Sequence, residues 1–192
     1  MARRGLAGAE KKAREEGAVI VCIDEAGFYL LPGLVRTYAP RGQTPVLKVL
    51  LSYSHLSVMS GITTAGQLYT LVRGRALTSR DSVGFLRHVS RCVGRKLLVV
   101  WDGSPIHRRE VDKFMAGGGD ERIHIERLPA YAPDLNPDEG VWQHLKNVEL
   151  RNVSCKNLDH LRRELHLAVM RLRSKPHLIK SFFSGVGLQI DS

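Results

Sequence analysis

Two kinds of apolar pattern run along the chain, unbroken runs and spaced stripes, and each predicts a different element. "AVIVCID" (18–24) and "KLLVVWD" (96–102) are continuous apolar runs that end in an aspartate. Runs of this kind read as strands buried on both faces, each expected to carry its acid at the C-terminal end. "HLSVMSGITTAGQLYTLVRG" (55–74) reads as two more strands joined by a turn near Thr64 to Gly66. "RTYAPRGQTPVLK" (36–48) has short extended pieces between turn residues Pro40, Gly42 and Pro45, and "IHIERL" (123–128) is a further strand.

The spaced stripes predict helices. Val83, Leu86, Val89 and Val93 follow the cap-type residues Thr78 and Ser79 at near-helical spacing. A short helix is expected through Val111 to Met115. Another starts at Pro137, with Val141, Leu145 and Val148 on one face. Leu158, Leu161, Leu165, Ala168 and Leu172 define an amphipathic helix over 157–173, ended or bent by Pro176. Residues 1–16 read as a mobile or helical lead-in, and 17–192 as one domain of the α/β class. The order of elements predicts a mixed sheet flanked by helices, with ligand chemistry at the C-terminal ends of its buried strands.

Composition narrows the function. The chain carries 29 Lys and Arg against 19 Asp and Glu, a net charge of +10. Between Ala26 and Trp101 there are ten basic residues and one acid, Asp81; from Arg151 to Lys180 there are eight against Asp159 and Glu164. That distribution favours a polyanion, of which nucleic acid is the usual one, over a solvated face without a ligand. No run is long enough to span a membrane, and Met1 to Gly17 is too charged for a signal peptide. Cys22, Cys92 and Cys155 form neither a disulfide framework nor a zinc pattern, so a reducing cytoplasm is the expected compartment. His144 and His160 do not form a zinc-binding H-E-x-x-H pair.

The scarcity of acid makes its placement informative. If the two buried runs are neighbours, Asp24 and Asp102 lie side by side and repel unless a cation joins them. A third carboxylate at the start of the helix after Pro137 completes an oxygen cage suited to Mg²⁺. Two such ions about 3.5–4 Å apart activate a water and stabilise a leaving 3′ oxygen in phosphodiester displacement. Asn136, Pro137 and Glu139 also fit a capping box, in which Glu139 reaches back to the Asn136 amide.

"VCIDEAGF" (21–28), "LLVVWDGSPIH" (97–107) and "LPAYAPDLNPDEGVWQHLK" (128–146) resemble the three catalytic blocks of DDE transposases. The nearer likeness is to the mariner-type superfamily in its bacterial insertion-sequence branch. It includes "RTYAPRGQTPVL" and covers the chain from about Gly17 onward. The resemblance implies a ribonuclease H-like fold and a catalytic triad of Asp24, Asp102 and Glu139, which bind Mg²⁺ or Mn²⁺. It implies cleavage at element ends followed by strand transfer into target DNA, at a TA dinucleotide. Thirty-six residues separate Asp102 from Glu139, and the "MAGGGDE" loop absorbs an interval slightly longer than the family's. The family also implies a helix-turn-helix module that reads element ends, and a homodimer in the active complex. Residues 1–16 are too few for such a module, so end recognition is expected from a separate or frameshifted reading frame, or from a longer chain of which this is a fragment.

The neighbouring residues have plainer explanations. Glu25 points to the opposite face from Asp24. Asp138 lies about 100° round the helix from Glu139 and reads as a helix N-terminus stabiliser. Asp134 reads as a turn residue and Trp142 as core packing. Arg36, Arg41 and Arg109 are candidate contacts for DNA phosphate, with His107 able to touch phosphate or orient a ligand. Two rivals to the transposase reading remain: a ribonuclease H-like nuclease without strand transfer, which would use the same carboxylates, and a DNA-binding remnant without catalysis.

Overall fold

The computed structural model describes residues 3–31, 33, 36, 38–44, 46–48, 52–101, 105–118, 121–128 and 135–187. Among them five strands form one sheet, β1 (Val19–Tyr29), β2 (His55–Thr63), β3 (Leu68–Arg73), β4 (Leu97–Trp101) and β5 (Ile123–Arg127), in the order β3-β2-β1-β4-β5. The first three strands are antiparallel neighbours, while β4 and β5 run parallel to β1 and to each other. Six α-helices accompany them: α1 (Arg3–Glu16), α2 (Ser79–Val93), α3 (Pro105–Ala116), α4 (Asp138–His144), α5 (Leu158–Arg173) and α6 (Pro176–Gly185). This is the mixed sheet flanked by helices that the element order predicted.

Strand alternation divides the core in two. Ile20, Cys22 and Phe28 of β1, with Leu98 and Val100 of β4, face α4, α5 and α6. Val21 and Ile23, with Leu97, Val99 and Trp101, face α2 and α3. Because both layers are apolar, β1 and β4 are buried on both sides, which is why their sequences are unbroken apolar runs. The lead-in is helical: Ala13 of α1 is buried, Ala18 N–H donates to the Ala13 carbonyl at 2.8 Å, and Lys12 reaches Glu126 of β5 at 3.1 Å.

Three expectations about the elements change. β1 does not end at Asp24 but continues to Tyr29, because β2 goes on pairing with it from Asp24↔Ser60 to Tyr29↔His55. α3 begins at Pro105, earlier than the Val111 start expected, with the proline at its first position, where no amide is needed. The helix carrying Leu145 does not stay α-helical. Leu145–Glu149 form a π-turn closed by Leu150 N–H donating to the Leu145 carbonyl at 2.9 Å. The wider turn rotates Val148 into solvent, 53% exposed, and puts Leu150 in its place on the buried side. Tertiary ion pairs hold it there: Glu149 accepts from Arg171 at 2.6 Å and lies 3.5 Å from Lys175 and 3.3 Å from His144.

Two local features match the sequence closely. Thr78 caps α2 in a capping box with Asp81, which also receives Arg73 at 2.9 Å and Arg75 at 2.7 Å. Asn157 caps α5 through His160 N–H at 2.8 Å. The β2–β3 turn needs its glycine: Gly66 has φ +84°, and a Cβ there would lie 2.6 Å from the Pro176 carbonyl oxygen. That close approach seats the turn on the start of α6. No helix among the described residues is long and apolar enough to cross a membrane.

Candidate active site

The register of the sheet explains why Asp24 stands where it does. β4 pairs with β1 only as far as Ile23↔Trp101, so Asp24 is the first residue of β1 beyond the described end of β4. Its side chain follows Cys22 onto the α4 face of the sheet, where it is 9% exposed. Trp142, one turn along α4 from Asp138, donates its indole Nε1–H to Asp24 Oδ2 at 2.8 Å. The same indole packs edge-on against Phe28 with ring centroids 5.9 Å apart. Trp142 is therefore core packing, as expected, and also the group that sets the orientation of the Asp24 carboxylate. The sequence signal for this second role was slight, since only the pairing of α4 with β1 brings the two residues together.

The start of α4 differs from the expected capping box. The helix begins at Asp138, with Pro137 ahead of it at φ −57° and no side-chain cap from that residue. Asn136 is turned inward and 3% exposed; its amide donates to the Ile23 carbonyl at 3.3 Å while its Oδ1 accepts Asp138 N–H at 3.2 Å. A buried strand carbonyl requires a donor, and meeting that need turns Asn136 toward β1. Glu139 makes no side-chain hydrogen bond among the described residues and remains half-buried, so its carboxylate is not consumed by capping.

Asp138 is more than the helix N-terminus stabiliser expected. Helix periodicity puts it on the same stripe as Trp142 and Leu145, which faces the sheet, and it is fully buried. Ser60 Oγ, on the strand residue paired with Asp24, donates to Asp138 Oδ1, while Oδ2 is buried with no hydrogen-bond partner among the described residues. Burial pushes the Asp138 carboxyl well above the ordinary carboxylate range. The Ser60 hydrogen bond opposes the shift, and the charges of Asp24 and Glu139 add to it. The nearby Cys22 thiol is raised too, first by burial and then by Asp138. Close packing brings this end of α4 in: Gly140 admits Phe182 of α6, whose ring lies 2.6 Å from where a Cβ would be.

The remaining predicted positions divide as follows. Asp102 and Asp134 lie outside the described residues, as do the side chains of His107 and Arg109 on α3. Asp102 follows Trp101, the last residue of β4, in the sequence. Arg36 and Arg41 are exposed between β1 and β2, and among the described residues no hydrogen bond or ion pair joins them to the carboxylates. Among the described residues no three His, Cys, Asp or Glu side chains form a metal-ligand cluster. What the structure does bring together is Asp24, Asp138 and Glu139 as an electrostatically coupled group at the junction of β1, β2 and α4.

Comparison with known proteins gives this arrangement a context. A family model described as DDE superfamily endonuclease matches residues 19–162. A solved paired-end complex of Mos1 transposase with its left transposon end is similar in fold, with a TM-score of 0.63 at 14% identity over 98% of this chain. The Mos1 mariner catalytic domain alone gives a TM-score of 0.54 at 13% identity, covering 98% of this chain and 94% of that one. A Mos1 paired-end complex with Mn gives 0.62 at 14% identity. The chain spans 62% of the length of the transposase chain in the first of these complexes. No curated protein sequence matches it. These structural likenesses establish a ribonuclease H-like fold.

Proposed function

We propose, from the premise that this chain belongs to the DDE superfamily endonuclease family, that it is the catalytic domain of a transposase acting on DNA with a divalent metal. The observation that carries the proposal is the placement of Asp24. It stands just beyond the last described pair of β1 with β4, and its carboxylate is oriented by Trp142 of the helix that also presents Glu139. The sequence places Asp102 directly after β4.

The residues suit a hard divalent cation. Every donor is a carboxylate oxygen, the carboxylates repel one another, and Asp138 keeps one buried oxygen without a partner among the described residues. A cation relieves such crowding. Asp24, Asp102 and Glu139 would hold Mg²⁺ or Mn²⁺. When bound, the metal lowers the pKa of a water and neutralises charge on the leaving 3′ oxygen. The protein's part is to fix geometry. Trp142 sets Asp24 before any ligand arrives, and the packed start of α4 holds Glu139 on a rigid element. In the first reaction water forms a bond to phosphorus and the P–O3′ bond breaks, freeing a 3′-OH. In the second, that hydroxyl attacks a target phosphodiester and displaces another 3′ oxygen.

The proposal extends to residues 17–192 as the catalytic unit, with α1 as the lead-in docked on it. It also includes a helix-turn-helix module for end recognition, pairing of two copies at the two element ends, and action on cytoplasmic DNA. Arg36, Arg41, His107 and Arg109 are its candidate phosphate contacts. The test is nicking of supercoiled DNA by the wild type and Glu139→Gln with Mg²⁺, Mn²⁺ or EDTA, with strand transfer of labelled ends in parallel. Metal-dependent cutting and transfer by the wild type, with a folded and inert variant, is the expected result. Cutting without transfer would favour a plain nuclease. A variant that cuts as well as the wild type would return Glu139 to a structural role.

A further inference from the structure

On the face of the sheet opposite Asp24, a groove of about 1050 Å³ runs between α2 and α3. Its rim is cationic: Arg87 and Arg91 come from α2, Lys113 from α3 and Arg122 from just before β5, against the single acid Glu121. The Arg87 guanidinium is stacked 4.8 Å over the Phe114 ring, and Arg91 Nε donates to the Arg87 carbonyl at 3.3 Å. Among the described residues neither arginine meets a carboxylate. The groove is also open to the backbone. Gly84 and Gly118 line it, and a Cβ at either would meet nothing within 4 Å.

A solvated basic face accounts for part of this. Arg91 lies in the last turn of α2, where a cation complements the helix dipole. That account also reaches Lys113, in the last turn of α3, but not Arg87, one turn earlier on α2 on the same side and repelled by Arg91. Cations gathered on the two walls of one concavity, one of them pre-set on an aromatic ring, match a continuous anion. Guanidinium groups are suited to phosphate oxygens in particular. α3 rises about 12 Å from Pro105, beside the end of β4, to Lys113, roughly the rise of three to four base pairs.

We infer that the α2–α3 groove is a second contact surface for duplex DNA, in which Arg87, Arg91, Lys113 and Arg122 grip the phosphate backbone apart from the carboxylate site. It rests on the reading that DNA is the substrate, but it makes a claim that can be measured without cleavage.

The experiment is fluorescence anisotropy of a labelled random-sequence duplex in EDTA over a salt series, with the wild type, Arg87→Gln/Arg91→Gln, and Arg162→Gln/Arg163→Gln. The last pair removes the same charge from exposed sites on α5, across the sheet. Each phosphate contact contributes about 0.9 to the slope of log affinity against log salt, so the groove variant is expected to lose about 1.8. The α5 variant is expected to lose distinctly less slope than the groove variant. Glutamine preserves helix propensity, and melting curves check the fold of each protein. Equal losses in the two variants, or none in the groove variant, would overturn the groove. If the wild type itself fails to bind duplex DNA, the groove and the proposed function both fall. If the slope falls as expected while no metal supports nicking, the groove stands and the catalytic reading fails alone.

Discussion

Replacing Asp138 by Asn should stabilise the protein, and by an amount that grows with pH. Asp138 is fully buried, one oxygen accepts from Ser60, the other has no partner among the described residues, and its carboxyl is held well above its ordinary range. The folded protein thus keeps the proton that the unfolded chain releases near pH 4. Below about pH 4 the group is protonated in both states and costs nothing through ionisation. Above it the unfolded chain binds fewer protons than the native one, so wild-type stability falls with rising pH until the folded carboxyl itself titrates. The slope for one proton is about 1.4 kcal/mol per pH unit. Asn keeps an oxygen for Ser60 and cannot ionise. Urea unfolding in EDTA at pH 4, 5, 6 and 7 should show the Asn variant gaining on wild type by up to about 1.4 kcal/mol for each unit above pH 4. EDTA removes the cations that would bind the ionised form. A gap that stays flat with pH would mean that Asp138 ionises as easily folded as unfolded, and the reading of its burial would be wrong.

Other substitutions test the same physics elsewhere. Asp81 is the opposite case, because Arg75, Thr78 and Arg73 hold its carboxyl well below the ordinary range. Its stabilisation is present above about pH 4 and lost as pH falls further, so Asp81→Asn should cost about 1–2 kcal/mol at neutral pH, shrinking in acid, by the same urea series. Trp142→Phe keeps the contact with Phe28 and removes the hydrogen bond to Asp24. Mn²⁺ affinity, followed by electron paramagnetic resonance, should weaken about tenfold or more; an unchanged affinity would leave Trp142 with packing alone. Gly66→Ala meets both a positive φ and the Pro176 carbonyl. It should lower stability by more than about 1 kcal/mol in thermal melts, and a neutral result would mean the turn can move off α6.

Features governed by local pattern were legible in the sequence, while those governed by partners were not. The runs at 18–24 and 96–102 identified two central strands because burial on both faces leaves no polar positions. Thr78 and Ser79 marked the start of α2, and the apolar stripe from Leu158 to Leu172 marked α5. The second half of β1 was missed because "DEAGFY" mixes two facing environments and has no apolar run. The π-turn left no periodic signal, since it depends on Glu149 finding Arg171 and Lys175 more than twenty residues away. Asp138 read as a dipole stabiliser because its neighbours in sequence do not reveal which side of α4 meets the sheet. Family resemblance drew attention to Asp24 and Glu139, but the hydrogen bond from Trp142 and the buried acid beside them required the fold.

The unequal lengths of β1 and β4 make one strand into two mechanical regimes. Val21 to Ile23 are flanked by β2 and β4, a plate held from both sides, whereas Asp24 to Tyr29 pair with β2 alone among the described strands. Because Ser57 to Ser60 also pair with β3, Asp24 to Gly27 form one edge of a three-stranded sheet, and only Phe28–Leu56 and Tyr29–His55 form a two-stranded ribbon, which twists through a wider range. Among the described strands, Asp24 therefore follows backbone held on both edges and leads backbone held on one. A load on that ribbon would deform residues 28–29 and 55–56 together, before it reached the three-stranded part. The positions that align β1 with β4 would keep their register.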